Sequence, residues 1–294
     1  MPDSKNDIDP NQRKKVAIAV PITNRPNLTP DEQISLNHLL HFLGGYDIYF
    51  IAPEGLDIHH PQIENKYFSH KYFGSGAAHS KLLLSTTFYE AFIDYEYLLL
   101  CHLDTLVFSD QLNQWCDEDY DYIAPPWIVH EDAPYAGLPE YEGKIGNGGF
   151  SLRKIDSFLK VINSNVYFRD PEDFWKVSCK GKSSLWKFLN QPRRLMYRIP
   201  RFNNAQIEIS RKIGIEDVFW ANRAPHYYPE FKLAPIEVAL KFAFECLPRY
   251  CYELNGNQLP FGCHAWQAYD KAFWEPFLLP APENADDSEN RLAL

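Results

Sequence analysis

Four clusters of residues in this chain carry side chains able to do chemistry: His102-Leu103-Asp104, Gly146 to Phe150, Glu216-Asp217 and Gly262 to Trp266. The first follows the apolar run Tyr97 to Leu100. A buried strand would there deliver an imidazole and a carboxylate at its carboxyl end, where open α/β sheets bind ligands. Both groups are divalent-cation ligands, and His264 offers a second imidazole. Asp217 is a candidate general base, since a carboxylate within hydrogen-bond reach can take a hydroxyl proton. The glycines of Gly146-Asn147-Gly148-Gly149 lead into a strand and mark close approach of backbone to backbone or to ligand. Each cluster also has a purely structural reading. Asp104 could be a turn residue, His102 a hydrogen-bonded histidine and Glu216-Asp217 a helix cap. His264 could simply pack beside Trp266.

The elements that must position these residues alternate. Lys15 to Pro21 is a short continuous apolar run, as in a fully buried strand. The loop holding Thr23, Asn24 and Arg25 follows, where the first ligand contacts of an α/β fold usually fall. Thr29-Pro30-Asp31-Glu32 predicts a helix start, and Gly44-Gly45 its end. Asp47 to Ala52 reads as a second strand. This β-loop-α-β order predicts a doubly wound sheet. A helix is expected from Ala77 to Ile93, with Lys81 near its start, another from Ser109 to about Glu118, and a short strand near Tyr122. Residues Ile128 to Ile145 show no periodicity and read as a long functional loop. Helices are expected over Asp156 to Ile162 and from Ile215 onward. Pro235 to Glu245 fits helix or strand. Neither GxGxxG nor GxxxxGK[ST] occurs, which disfavours a dinucleotide site or P-loop. Residues 1–14 read as a disordered leader, 15–279 as one domain and 280–294 as a disordered tail.

The net charge of -10 argues against a nucleic-acid partner, which would need a positive footprint. The charge is uneven. From Phe174 to Gly214 ten basic residues stand against the single acidic Glu208, a local +9 that leaves -19 elsewhere. The basic insertion, about 168–214, reads either as a solvated surface or as a surface meeting anionic lipid headgroups or an anionic acceptor. The six cysteines form no CxxC pair, no signal peptide is evident, and no apolar run spans a membrane. A cytoplasmic location follows, with membrane association at the inner face as the extension the insertion raises.

In order, the four clusters resemble the nucleotide-sugar-dependent glycosyltransferases of the GT-A fold. Cys101 to Phe108 looks like the Asp-x-Asp motif in its setting after a buried strand, in wording nearest the glycogenin-like enzymes, which read Asp-Ala-Asp-Thr-Leu-Val. Gly146 to Ser151 resembles the Gly-rich acceptor-side strand. Glu216-Asp217-Val218-Phe219 resembles the Glu-Asp segment that supplies the base in inverting galactosyl- and N-acetylglucosaminyltransferases. His264 stands where several of these enzymes place a late histidine on the metal. The resemblance covers about Lys15 to Trp266, excluding the insertion, and extends to an uncharacterised bacterial and fungal family of glycosyltransferase-like domains.

The resemblance implies a GT-A-like, Rossmann-related α/β fold: a mostly parallel central sheet flanked by helices, with a basic helical insertion. It implies Asp104, His102 and His264 on Mn²⁺ or Mg²⁺, and a nucleotide-sugar donor, a UDP-sugar by the habit of metal-using members. Thr23, Asn24, Arg25, Lys81, His102 and Asp104 would surround that donor. Asn147, Gly148, Gly149, Trp220 and Trp266 would face a glycan or lipid-linked acceptor. Asp217 would be the base, oriented by Glu216. His102 departs from the motif's first Asp. An imidazole there removes a charge and favours Mn²⁺ over the oxygen-preferring Mg²⁺, and it also raises metal-independent catalysis. The alternatives are a retaining enzyme, a non-catalytic nucleotide-sugar or carbohydrate-binding module of the same fold, and, more weakly, a metal-dependent phosphohydrolase.

Overall fold

The computed structural model describes residues 13–22, 25–146, 148–211 and 215–280. Strand β1 (Lys14–Pro21) is the expected apolar run, with Ala17 to Val20 wholly buried. Its start corrects the leader, because Lys14 is in the strand and Arg13 pairs with Asp156; residues 1–12 and 281–294 lie outside the described residues. Helix α1 (Pro30–Leu43) starts on a full capping box. Thr29 Oγ1 accepts from the Glu32 N–H, and the Glu32 carboxylate accepts from the Thr29 N–H at 2.7 Å. The helix buries Leu36, Leu39 and Leu43 and returns the chain to β2 (Asp47–Pro53), parallel to β1. On the far side of β2 lies β3 (Glu64–Phe68), also parallel. Only Phe68 of β3 is buried, so no apolar run announces this edge strand.

Where the sequence predicts one helix to Ile93, there are two: α2 (Gly76–Leu83) and α3 (Thr86–Glu90). The break has a local cause. Ser85 is extended, and its Oγ accepts from the Phe88 N–H, capping a new helix. Strand β4 (Tyr95–Cys101) follows, then β5 (Leu106–Val107), α4 (Leu112–Asp117), β6 (Tyr122–Ile123), β7 (Phe150–Lys154) and α5 (Ile155–Ile162). The insertion is helical, as expected: α6 (Pro171–Cys179), α7 (Ser184–Leu189), α8 (Gln191–Tyr197) and α9 (Ala205–Arg211). After the insertion come α10 (Glu216–Tyr227), α11 (Ile236–Phe242), β8 (Ala243–Phe244), α12 (Pro248–Leu254), β9 (Gly262–Cys263) and α13 (Lys271–Trp274). The ambiguous stretch from Pro235 is thus both helix and strand.

The main sheet runs β3-β2-β1-β4-β7-β6, with β7 antiparallel to both its neighbours and the other contacts parallel. α4 packs on β1 and α5 on β4 and β7. This is the expected α/β class, a mostly parallel central sheet flanked by helices. A second, small sheet runs β5-β9-β8. The insertion is tied to the body through α9. There the buried Glu208 carboxylate accepts from Arg223 Nε (2.9 Å) and the Tyr227 hydroxyl (2.5 Å), both on α10. Glu208→Ala removes the acceptor both groups share. It is expected to cost about 1–3 kcal/mol, read by urea unfolding, because polar groups lose partners at a mostly buried site.

Candidate active site

From β1 the chain passes to β2 on one side, while β4 lies on the other. The crevice beyond the carboxyl ends of β1 and β4 is therefore the sheet's topological switch point. A cleft of about 660 Å³ opens there. Its walls are Pro21, Ile22 and Arg25 after β1, Tyr72 to Gly76 and His79 around the start of α2, and His102 to Asp104 after β4.

The small sheet brings the last ligand to this cleft. Antiparallel pairing of β5 with β9 sets Leu106 opposite Cys263, so His264 and Ala265 run back alongside Thr105 and Asp104. The Trp266 N–H donates to the Asp104 carbonyl at 3.2 Å. Parallel pairing of β8 with β9 sets Phe244 beside Cys263, which brings Glu245 next to His264. The result is a line of three groups: Glu245 Oε1 lies 3.4 Å from His264 Nδ1, and His264 Nε2 lies 3.3 Å from Asp104 Oδ1. Ligand atoms of His102, Asp104 and His264 all fall within 4.8 Å of one another. The Asp104 side chain is 40% exposed, yet its Oδ1 is buried and makes no aligned hydrogen bond. An orphaned carboxylate oxygen between two imidazoles fits a divalent cation, and two nitrogen donors favour Mn²⁺ over Mg²⁺.

Electrostatics divide the histidines. Burial works against charge on His264, but Asp104 and Glu245 overcome it and push its pKa up to about 10. Burial, with Arg153 adding, holds His79 down to about 4; burial and His79 keep His102 neutral. The His79 and His102 Nε2 atoms lie 3.1 Å apart, so one of them donates to the other.

Two adjacent glycines make the packing possible. A Cβ on Gly149 would stand 1.9 Å from His264 Nε2, and one on Gly148 would stand 2.3 Å from Glu216 Oε1. Beneath them Arg153 of β7, fully buried, donates to Glu216 Oε1 (2.9 Å), Ser151 Oγ (2.9 Å) and the Tyr89 hydroxyl (3.0 Å). This ion pair seats the first turn of α10 on the sheet and sets Asp217 within electrostatic reach of Glu245, the partner of His264. Burial pushes the Asp217 pKa up to about 7, with Glu216 and then Glu245 adding to it. The neighbouring loop is closed at its base. Pro126 bridges Ile145, the Trp127 N–H donates to the Lys144 carbonyl and the Gly146 N–H to that of Pro125. Inside the loop Tyr135 stacks on Tyr141, and both meet Trp127 edge-on.

The structure thus unites His102, Asp104 and His264, lines the cleft with Arg25, and sets Glu216 and Asp217 at a helix start. Other expectations are corrected. Trp220 and Trp266 are at 0% exposure and offer no face to a sugar. Trp220 packs on Phe158, and Trp266 Nε1 donates to Ser35 Oγ within the core. Lys81 is exposed and sits two residues from His79, roughly 200° around α2, so it turns away from the cleft. Gly148 and Gly149 make room for Glu216 and His264, and Glu216 is occupied by Arg153. Arg25 is held by Glu32 at 2.7 Å. Thr23, Asn24 and Asn147 lie outside the described residues. His79, Arg153 and Glu245 were not foreseen. Their only sequence signals are a histidine just inside a glycine-led helix and an acid after a short apolar run.

Fold and site together define a mixed α/β protein with a His–Asp–His cluster at the switch point of its sheet. The chain belongs to the family described as protein of unknown function DUF5672, whose pattern matches residues 62–264 and so includes every member of the cluster. Among curated proteins none matches. Among solved structures, the chain is similar to a glycosyltransferase involved in the glycosylation of the major capsid of PBCV-1. Identity is 12%, coverage 89% of this chain and 98% of that one, and the TM-score 0.41. It is similar also to mouse xyloside xylosyltransferase 1, at 14% identity, 86% and 97% coverage and a TM-score of 0.39.

Gly149→Ala should displace His264 and weaken Mn²⁺ binding by about tenfold or more, measured by calorimetry, while the far-ultraviolet circular dichroism stays that of the parent. Glu245→Gln should weaken it by about 10–100-fold, the usual effect of losing the carboxylate behind a metal-bound histidine.

Proposed function

We propose that the chain is a glycosyltransferase. Its cleft takes a nucleoside diphosphate sugar, and Asp217 accepts the proton of a hydroxyl acceptor on a glycan or lipid-linked glycan. One observation carries this reading. At the switch-point cleft stands a buried, orphaned carboxylate oxygen between two imidazoles, and within electrostatic reach of the Glu245 behind them is a second carboxyl group that burial lifts to a pKa of about 7. The first arrangement suits a cation-held diphosphate, the second a general base.

Half-buried Tyr72 and Phe73 would offer aromatic faces to a nucleobase, and the start of α2 at Ser75 and Gly76 lines the cleft, where a helix N-terminus would suit the phosphates. A divalent cation held by Asp104, His102 and His264 would neutralise charge developing on the departing diphosphate. Glu245 holds the Nδ1 side of His264 and leaves Nε2 turned to Asp104. The acceptor O–H bond breaks toward Asp217, and the acceptor oxygen forms the new glycosidic bond. The sugar–phosphate electron pair leaves with the diphosphate. Direct attack of this kind inverts the anomeric centre.

A second reading has its own support. His264 holds a proton up to about pH 10 between Asp104 and Glu245, so its imidazolium could balance the diphosphate without a cation. A chelator separates the two: loss of transfer supports the first, full retention the second.

Titration calorimetry with a panel of nucleoside diphosphates should show binding that tightens with Mn²⁺ and weakens about tenfold or more in Asp104→Asn. No binding to any of them, with or without metal, would overturn the assignment. Asp217 is protonated below about pH 7, so kcat/KM should rise with pH through a midpoint near 7. Stability runs the other way. The folded pKa exceeds the unfolded value of about 3.9, so the contribution is full below about 4 and is lost as pH rises through 7. Asp217→Asn should therefore abolish transfer yet gain about 1–3 kcal/mol at pH 8.

A further inference from the structure

The insertion concentrates exposed apolar side chains and basic residues on one lobe. Among the described residues, eight of the fourteen exposed large hydrophobic side chains lie between Val177 and Phe202. Val177, Leu185, Phe188, Leu189 and Leu195 are 58–76% exposed. Leu185, Phe188 and Leu189 stand at i, i+3 and i+4 on α7 and so share one face. Trp186 lies on another side of that helix, stacked on Trp175 of α6, and α6 and α7 both pack on α8. The apolar face therefore points out of a folded lobe that is already packed elsewhere.

Charge selects the occupant. Lys180, Lys182, Lys187, Arg193 and Arg201 are exposed and form no ion pair among the described residues, whereas Arg194 and Arg198 are held by Glu172. A water-facing surface has no need of a bare Leu-Phe-Leu face. A protein partner matched to the apolar residues alone would leave these cations uncompensated. Apolar side chains that enter an interface, flanked by lysines and arginines, match a bilayer with anionic headgroups. A second copy meeting the same face would set one basic patch against another.

We propose that this lobe docks the protein on an anionic membrane surface through Leu185, Phe188 and Leu189, with the surrounding lysines and arginines on the headgroups. The docking does not depend on the transfer reading, and the contact is peripheral: no helix among the described residues is long and apolar enough to cross a membrane. Its consequence for the site is geometric. α9 ends the lobe and is bonded to α10, the helix that begins with Glu216 and Asp217.

Vesicle flotation of the full chain tests it, using neutral phosphatidylcholine and the same lipid with about one-third phosphatidylglycerol. The protein should float only with the anionic vesicles, and less so as salt is raised. Leu185→Ser/Phe188→Ser/Leu189→Ser and, separately, Lys180→Glu/Lys182→Glu/Lys187→Glu should each lower the bound fraction at least tenfold, with the melting temperature unchanged. Wild-type protein that stays at the bottom with anionic vesicles overturns the proposal. So does equal binding to neutral vesicles, or a dimer by sedimentation that the Ser variant dissolves while no vesicle binding is seen.

Discussion

The position of Asp217 hangs on one buried ion pair. Arg153 is taken wholly out of water near the end of β7, a placement tolerated because Glu216, Ser151 and Tyr89 together accept its donors. Removing one partner from such a pair costs about 3–5 kcal/mol, which few domains can spare. The pair also has a directional role. It fixes the first turn of α10 against the sheet, and so fixes Asp217. Glu216 Oε2, which makes no hydrogen bond, adds negative potential beside Asp217. The anchor that positions the carboxyl group thus also shifts its titration.

A second dependence runs through the small sheet. Two residue pairs between β5 and β9 and two between β9 and β8 set Asp104, His264 and Glu245 in line. A slip of one residue in either pairing would turn His264 to the opposite face. Trp266, fully buried and bonded to Ser35 of α1, holds that register from behind. The two carboxylates flanking His264 favour positive charge there, and they raise its pKa despite burial.

The sequence was most legible where one physical signal dominates. The apolar runs of β1 and β4 and the capping box of α1 appear as expected, because burial on both faces and a side-chain cap leave local marks. β3 left none, as an edge strand has little to bury. The α2–α3 break turned on a single serine competing with a periodic apolar pattern. In the site, the types and order of His102, Asp104, His264 and Asp217 were readable. Their partners were not, because Arg153, His79 and Glu245 acquire meaning only from strand register and helix rotation. Trp220 and Trp266 misled for the converse reason: a large ring near polar residues reads as a binding face, and only packing shows that it is core.

The loop from Trp127 to Ile145 enters and leaves the sheet region at one point, closed by the Pro126–Ile145 bridge and bounded inside by its own three aromatic rings. Such a loop is anchored at its base. Its ends are fixed whatever its contour, and doubling its length would cost only about 0.6 kcal/mol in closure entropy. Burial and then the charge of Asp217 raise the Tyr141 pKa, and Lys144 bonds Asn222, so the loop lies against the helix that begins with Glu216 and Asp217. The contour between residues 127 and 145 can therefore change at little entropic cost, while the strands and the cluster beneath stay as they are.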